Sequence, residues 1–407
     1  MSWQKGVKTI TMKEKSSFNL EEEEEIANYL FNEVKEKEVL PVATVKNSQF
    51  KIPKFEFSGA CEGCGETVYL KLLTQLFGDR LIIANATGCS SIYSASAPNM
   101  AYHVAWENSL FEDNAEFGYD MKIADIAMKN RITTLIKDNI SLVKKSEVKI
   151  YKDYVKEQTL ENADKLLEIV DDTKIAELLE LKDFIRPRSF FLVGGDGWAY
   201  DIGYNGIDHV LANHENVNIL VLDTEVYSNT GGQSSKSTSG QSSKSTRKGE
   251  VAKFASNGKQ AEKKDLLKIA LTYPHVYVAS MSLGANPNQS VKVLQEVESY
   301  DGPSIIAFYA PCIAQWILEG MKKSLHEEQV ATESGYFPLF HYNPETGKFK
   351  MDSKADCSKY ADFIGGEDRY RSLKKLNKDY KKILEQNKEN AIDRNEYYKS
   401  LETKEEE

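Results

Sequence analysis

The sequence predicts an α/β protein built on a doubly wound parallel sheet. Two observations carry this. Short apolar runs recur between helical stretches from Lys51 to about Tyr342, and the runs are continuous rather than alternating, as strands covered on both faces must be. A strand–helix–strand–helix order then implies parallel pairing, with ligands collecting in the loops at the carboxyl ends of the strands.

In chain order, residues 1–50 form an acidic lead-in. Glu21–Glu25 precedes IANYLFNEV, whose weak helical periodicity reads as a solvated helix rather than a docking site. Residues 51–345 form the ligand-binding domain. Its strands are expected at Leu81–Asn85, Ser189–Val193, Val217–Leu222, Val276–Ala279 and Ser304–Tyr309. Its helices are expected at Thr67–Phe77, Gly203–Asn213, Lys263–Tyr273, Asn288–Tyr300 and Ile313–Glu328. Residues 120–187 interrupt the alternation as a helical insertion, rich in Lys and Glu with Leu and Ile three and four apart, and Pro187 closes it. Residues 346–407 are strongly charged and read as an arm that covers a neighbour or stays solvated. QSSKST at Gln233–Thr238 recurs at Gln241–Thr246, one duplication, which reads as a lengthened surface loop. NPETG at Asn343–Gly347 is a turn.

Composition narrows the function. The 407 residues carry 52 Lys+Arg against 62 Asp+Glu, a net charge of −10, which argues against a nucleic-acid binder. No apolar run approaches the ~20 residues that cross a bilayer. The first residues lack the apolar stretch of a secretory signal, so a cytoplasmic protein is expected. Five cysteines are too few for a disulfide scaffold, and close ones point to metal or redox work.

Two constellations carry chemistry. Cys61-Glu-Gly-Cys64 is a CxxC turn, and Gly63 and Gly65 let its backbone fold tightly around two sulfurs. Cys89 and Cys312 each follow a predicted strand, so the fold can bring all four thiols to one rim. Spacing alone leaves zinc and iron–sulfur open, although thiolates drawn from distant loops suit a cubane better than a zinc knuckle. Cys357, in the charged arm, is a bystander.

The second constellation is GGDGW, Gly194–Trp198, after one strand, with DTEVYSNTGG, Asp223–Gly232, after another. Glycines at a strand end let backbone N–H groups approach phosphate, and Asp196 can hold a divalent ion against it with the Thr224 hydroxyl. A dinucleotide loop fits less well, because its sixth position is Tyr200. Trp198 and Tyr227 could shield a ligand, though aromatics at strand ends more often pack.

The stretches FEFSGACEGCGET, LIIANATGCSSIYSASAP, NSLFEDNAEFG, GGDGWAYDIGYNGIDHVL and NILVLDTEVYSNTGGQSSKST closely resemble the thiamine-diphosphate domain of pyruvate:ferredoxin (flavodoxin) oxidoreductases, over roughly Phe55 to Asn343. The resemblance implies one [4Fe–4S] cluster on Cys61, Cys64, Cys89 and Cys312. It implies Mg²⁺ held by Asp196, Thr224 and the Val226 carbonyl. It implies thiamine diphosphate held by Glu66, Cys89, Gly195, Asp196, Gly197, Trp198, Thr224, Glu225, Val226, Tyr227, Ser228 and Asn229, with Glu66 and Asn229 nearest the chemistry. The implied reaction is oxidative decarboxylation of pyruvate to acetyl-CoA and CO₂, with electrons leaving to ferredoxin or flavodoxin.

The chain departs from the family in three ways. It is much shorter than the single-chain enzymes, so partner chains are expected to supply the pyrimidine-side, substrate, coenzyme A and ferredoxin-like domains in a homo- or hetero-oligomer. The segment from Pro98 to Trp106 is short. The QSSKST duplication leads from its second copy into RKGEVAKFASNGK, as the family's single copy does, so the first copy is expected to be displaced. Another 2-oxo acid as substrate, a non-redox thiamine-diphosphate lyase, and a cluster-bearing scaffold remnant stay open as alternatives.

Overall fold

A computed structural model of the chain describes residues 12–36, 40–52, 54–96, 99–100, 104–237, 263–314, 317–376, 378 and 380–403. Their organising element is an eight-stranded sheet. Its strands are β1 (Leu81–Ala86), β2 (Ala105–Ser109), β3 (Ser189–Gly195), β4 (Asn218–Asp223), β5 (Tyr277–Met281), β6 (Ser304–Tyr309), β7 (Phe340–Asn343) and β8 (Lys348–Met351). They lie in the order β8-β7-β5-β6-β4-β3-β1-β2. β1 to β6 pair in parallel, while β7 and β8 add an antiparallel edge. All six residues of β1, β4 and β6 are buried, which is why their sequence is apolar without alternation.

One apolar cluster lies on each face. The first includes Leu70, Leu73, Phe191, Leu222, Val293 and Phe308. The second includes Trp198, Ile207, Val210, Ile219, Val278 and Phe340. The helices that cover them are Thr67–Phe77, Tyr204–Ala212 and Pro287–Ser299, close to the expected spans. The insertion folds as expected into helices, including Val148–Lys156 and Leu160–Val170, around its own core of Ile132, Tyr151, Tyr154, Leu166 and Ile185. The chain runs from β1 outward to β2 and then returns to place β3 on the other side of β1. Loops leaving β1 and β3 therefore diverge and open a crevice at the strands' carboxyl ends.

Several expectations need correction. The helix expected at Ile313–Glu328 lies at Ser324–Glu333 instead. Gly320 has φ +93°, and Ile317 forms a bridge with Glu367, so the chain after Cys312 runs as an irregular strap before it can coil. The helix expected over Lys263–Tyr273 spans only Leu266–Ala270, where the Asp265 carboxylate accepts the Lys268 N–H as N-cap. β2 is half-exposed and gives little apolar signal. A boundary at residue 345 falls in the turn joining β7 to β8, which pair as a hairpin.

The charged arm packs part of its surface on its own chain. Phe363, Ile364, Tyr370 and Ala391 join Tyr309, Tyr336 and Leu339 in one cluster. Tyr398, in the helix Tyr380–Ser400, stacks on Phe340 at 4.2 Å between ring centroids. The lead-in is exposed from Met12 to Glu36, as expected. The second QSSKST copy lies outside the described residues, as do 98 and 101–103 of the Pro98–Trp106 segment.

Candidate active site

The crevice is built from four strand ends. β1 runs into Thr87-Gly88-Cys89, β3 into Asp196-Gly197, β4 into Thr224 to Thr230, and β6 into Cys312. A cavity of about 270 Å³ is lined by Glu66, Gly195, Asp196, Gly197, Thr224 and Tyr227 among others. A second cavity, about 150 Å³, is lined by Cys61, Cys64, Cys89 and Cys312 with Tyr93 and Ile313. Glu66, Cys89, Thr224, Ser228 and Asn229 line both. One wall of five residues thus separates an oxygen-rich pocket from a cysteine-lined one.

In the first cavity, the Thr224 hydroxyl oxygen is the hub. It lies 3.0 Å from Asp196 Oδ1, 3.0 Å from the Val226 carbonyl oxygen and 2.7 Å from Ser228 Oγ. A carboxylate, a hydroxyl and a carbonyl spaced this way match neighbouring corners of an octahedron with ~2.1 Å bonds, the oxygen shell Mg²⁺ demands. Asp196 is 1% exposed. Burial, then the Asp223 carboxylate, push its carboxyl well above the usual range, and a bound cation would reverse that. The Ser235 hydroxyl donates to its other oxygen. Ser235 and Ser237 are buried, and Ser237 donates to Asp223 at 2.5 Å. The first QSSKST copy thus seats Ser235 and Ser237 against the site, while its Lys236 stays exposed. Gly197 is required because a Cβ there would strike the Tyr227 ring.

In the second cavity, the Cys64 N–H donates to the Cys61 carbonyl at 3.1 Å, closing the CxxC turn. Gly63 has φ +65°, and a Cβ there would collide with the Met321 carbonyl, so the turn tolerates only glycine. Burial raises the thiol pKa of Cys64, Cys89 and Cys312; beside Cys64 and Cys89 the Glu66 charge adds to it. Such thiols ionise when a metal stabilises the thiolates. The set is soft sulfur throughout, and among the described residues no three His, Cys, Asp or Glu groups converge tightly enough to grip a single ion. Cys357 stands apart, beside Gly335.

Glu66 sits just before the helix Thr67–Phe77, 4% exposed. Burial lifts its pKa to about 7, and Tyr93 offsets part of this. Its Oε2 is buried without a hydrogen-bond partner. Asn229 Oδ1 lies 4.0 Å from Cys89 Sγ.

The structure brings together every expected site residue except two. Trp198 is fully buried and packs in the core, and it does not line either cavity. Glu225 has φ +59°, and its side chain turns away to Lys263, Arg369 and Tyr336. Sequence reasoning missed Thr87, Gly88, Ser90, Phe111 and Thr230, which also line the larger cavity. All five lie within the quoted stretches, so a reading of strand-end loops could have found them. Ser235 lies in a quoted stretch too, but was read only as part of the repeat.

Known proteins resemble the chain over most of its length. Residues 173–308 match the family described as thiamine pyrophosphate enzyme, C-terminal TPP binding domain. A pyruvate:ferredoxin oxidoreductase of Moorella thermoacetica is 48% identical over 362 residues, 82% of this chain and 30% of that enzyme. A pyruvate-flavodoxin oxidoreductase of Klebsiella pneumoniae is 46% identical over 355 residues, again 82% of this chain and 30% of the enzyme. A solved 2-oxoglutarate:ferredoxin oxidoreductase of Magnetococcus marinus is similar at TM-score 0.41 and 15% identity, over 69% of this chain and 72% of that one. The chain is thus similar, over about four fifths of its length, to pyruvate:ferredoxin and pyruvate-flavodoxin oxidoreductases, spans about 30% of their length, and matches the TPP enzyme C-terminal domain over residues 173–308.

Proposed function

We propose that this chain is the thiamine-diphosphate- and [4Fe–4S]-binding part of a pyruvate:ferredoxin or pyruvate:flavodoxin oxidoreductase. The observation that carries the reading is the shared wall: five residues line both the oxygen-rich pocket and the cysteine-lined cavity. A non-redox lyase would use the first and have no need of the second. A scaffold remnant would have no need of the first.

In this reading Asp196, Thr224 and the Val226 carbonyl hold Mg²⁺, and the backbone of Gly195 to Gly197 faces the diphosphate. Four thiols spread around a cavity suit a cubane, whereas tetrahedral zinc would draw its sulfurs to ~2.3 Å from one point. Bound thiamine diphosphate would supply an electron sink for decarboxylation, and the cluster would accept electrons one at a time. The chain's own residues bind, orient and shield. Asn229, on the shared wall, reaches toward both sides. Glu66 offers a buried carboxyl between them, able to gain or lose a proton near neutrality. The residues matched here give no grip on a substrate carboxylate and no carboxylate for the cofactor's pyrimidine. Partner chains with substrate, coenzyme A and ferredoxin-like domains are therefore proposed, and the electron acceptor is ferredoxin or flavodoxin.

Iron and sulfide analysis after anaerobic reconstitution tests the ligand set. Four irons and four sulfides per chain are expected, with loss of the cluster in Cys64→Ala. Tightly held zinc, or a cluster indifferent to Cys64, would contradict it.

A further inference from the structure

Glu225 lies between two of the proposed cation ligands, Thr224 and Val226. Among the described residues it is the one non-glycine residue with positive φ, at 59°. A left-handed backbone crowds Cβ against the next carbonyl, so such a residue persists only where its surroundings force it. Here the force comes from its side chain. The carboxylate is 1% exposed and clamped on both oxygens. Oε1 accepts from Lys263 Nζ at 2.5 Å, and Oε2 faces Arg369 Nη1 at 2.8 Å and accepts from the Tyr336 hydroxyl at 2.5 Å. The Glu225 N–H donates to Asp223 Oδ1 at 3.0 Å, which Lys263 also braces through Oδ2 at 3.0 Å.

Arg369 belongs to the charged arm, in the helix Asp368–Leu376, and is itself buried. Its Nε donates to Glu367 at 2.5 Å. Glu367 in turn accepts from the Tyr309 hydroxyl at 2.9 Å, at the end of β6, just before Cys312. The Leu318 N–H donates to the Gly366 carbonyl at 2.9 Å, tying the arm to the strap that follows Cys312. An element expected to be peripheral therefore reaches the backbone of the cation site through one ion pair.

We infer that Arg369, together with Lys263, is a positioning residue for the cation site. Their charges hold Glu225 in its left-handed conformation, and that conformation turns the Thr224 hydroxyl and the Val226 carbonyl toward Asp196. Removing Arg369 leaves a buried carboxylate half-compensated. The cheapest relaxation is rotation of residue 225 toward solvent, which would swing the Val226 carbonyl away from the ion. Nothing in this requires Arg369 to touch a ligand. The inference rests on the Mg²⁺–diphosphate reading above.

The test is the Mg²⁺ concentration that half-saturates thiamine-diphosphate binding, measured by calorimetry on the 407-residue chain. Arg369→Gln should raise it by roughly tenfold or more, a shift of the size that backbone strain at one residue commands. Arg369→Lys should recover most of the loss, and iron content after reconstitution should stay at the wild-type level. A merely structural role would lower the number of binding-competent chains without moving the half-saturation point. Glu225→Gln keeps the side chain's shape and should shift it in the same direction, with the double variant no worse than the worse single one. If Arg369→Gln fails to fold, Glu225→Gln carries the test. Wild-type chain that binds with Mg²⁺ while both variants match it would overturn the inference alone. Wild-type chain that shows no Mg²⁺-dependent binding would overturn the inference and the diphosphate reading together.

Discussion

Glu328 shows how burial sets chemistry one residue at a time. It is fully buried, and Oε2 accepts from the Tyr69 hydroxyl at 2.9 Å and the Gly284 N–H at 2.8 Å, while Oε1 has no hydrogen-bond partner. Burial outweighs these bonds and lifts its pKa to about 8. Because the folded pKa exceeds the unfolded one, the folded state keeps the proton longer. Stability should therefore fall as pH rises from about 4.5 to 8, by about 5 kcal/mol from this group at most. Glu328→Gln keeps an acceptor for both donors and should flatten that part of the urea-denaturation pH profile. An equally steep profile in the variant would place the proton elsewhere. Glu225 obeys the opposite balance: burial alone would raise its pKa, but Lys263 and Arg369 outweigh it and hold it at about 2. Sequence located Glu225 among the proposed cation ligands but not its direction, because a left-handed turn reverses the side chain without changing any motif.

The legibility of each element follows from how much of it is buried. β1, β3, β4, β5 and β6 were readable because sheet interiors demand continuous apolar runs. β2, β7 and β8 escaped notice, since edge and half-exposed strands alternate weakly over four or five residues. The charged arm misled for a different reason. Its first helices do bury side chains at helical spacing, Tyr360, Phe363 and Ile364 and then Tyr370 and Leu373, but charged residues surround them, and in Tyr380–Ser400 the buried Ile383, Ala391 and Tyr398 are too widely spaced to announce a core face. Tyr398 packs against Phe340 and Phe349 and its hydroxyl donates to Asp265 at 2.6 Å, tying the arm to the helix Leu266–Ala270. Tyr398→Ala should cost about 3 kcal/mol in urea unfolding, in line with other large aromatic truncations. A change below about 0.5 kcal/mol would make the arm an appendage.

Across the whole molecule, one sheet delivers oxygen ligands and thiols to the same crevice from stretches far apart in sequence. The cysteines and the glycine-rich strand ends were legible because each sits in a short motif at a strand terminus. Arg369, Lys263 and Tyr336 were not, because they act through Glu225 and carry no pattern. Among the described residues no helix is long and apolar enough to cross a membrane. The chain spans about 30% of those relatives' length, and on the proposed reading it contributes the diphosphate and thiol sides of a larger catalytic centre. Release of CO₂ from pyruvate, with coenzyme A and an artificial electron acceptor, should therefore need a partner chain, and robust acetyl-CoA formation by the 407 residues alone would refute the split arrangement. The central claim is more direct: Asp196, Thr224 and Val226 hold an ion against a diphosphate. Calorimetric titration of thiamine diphosphate into the chain, with and without Mg²⁺, measures it. Saturable, Mg²⁺-dependent binding that Asp196→Ala abolishes is the predicted result, and unchanged affinity in Asp196→Ala would contradict the account.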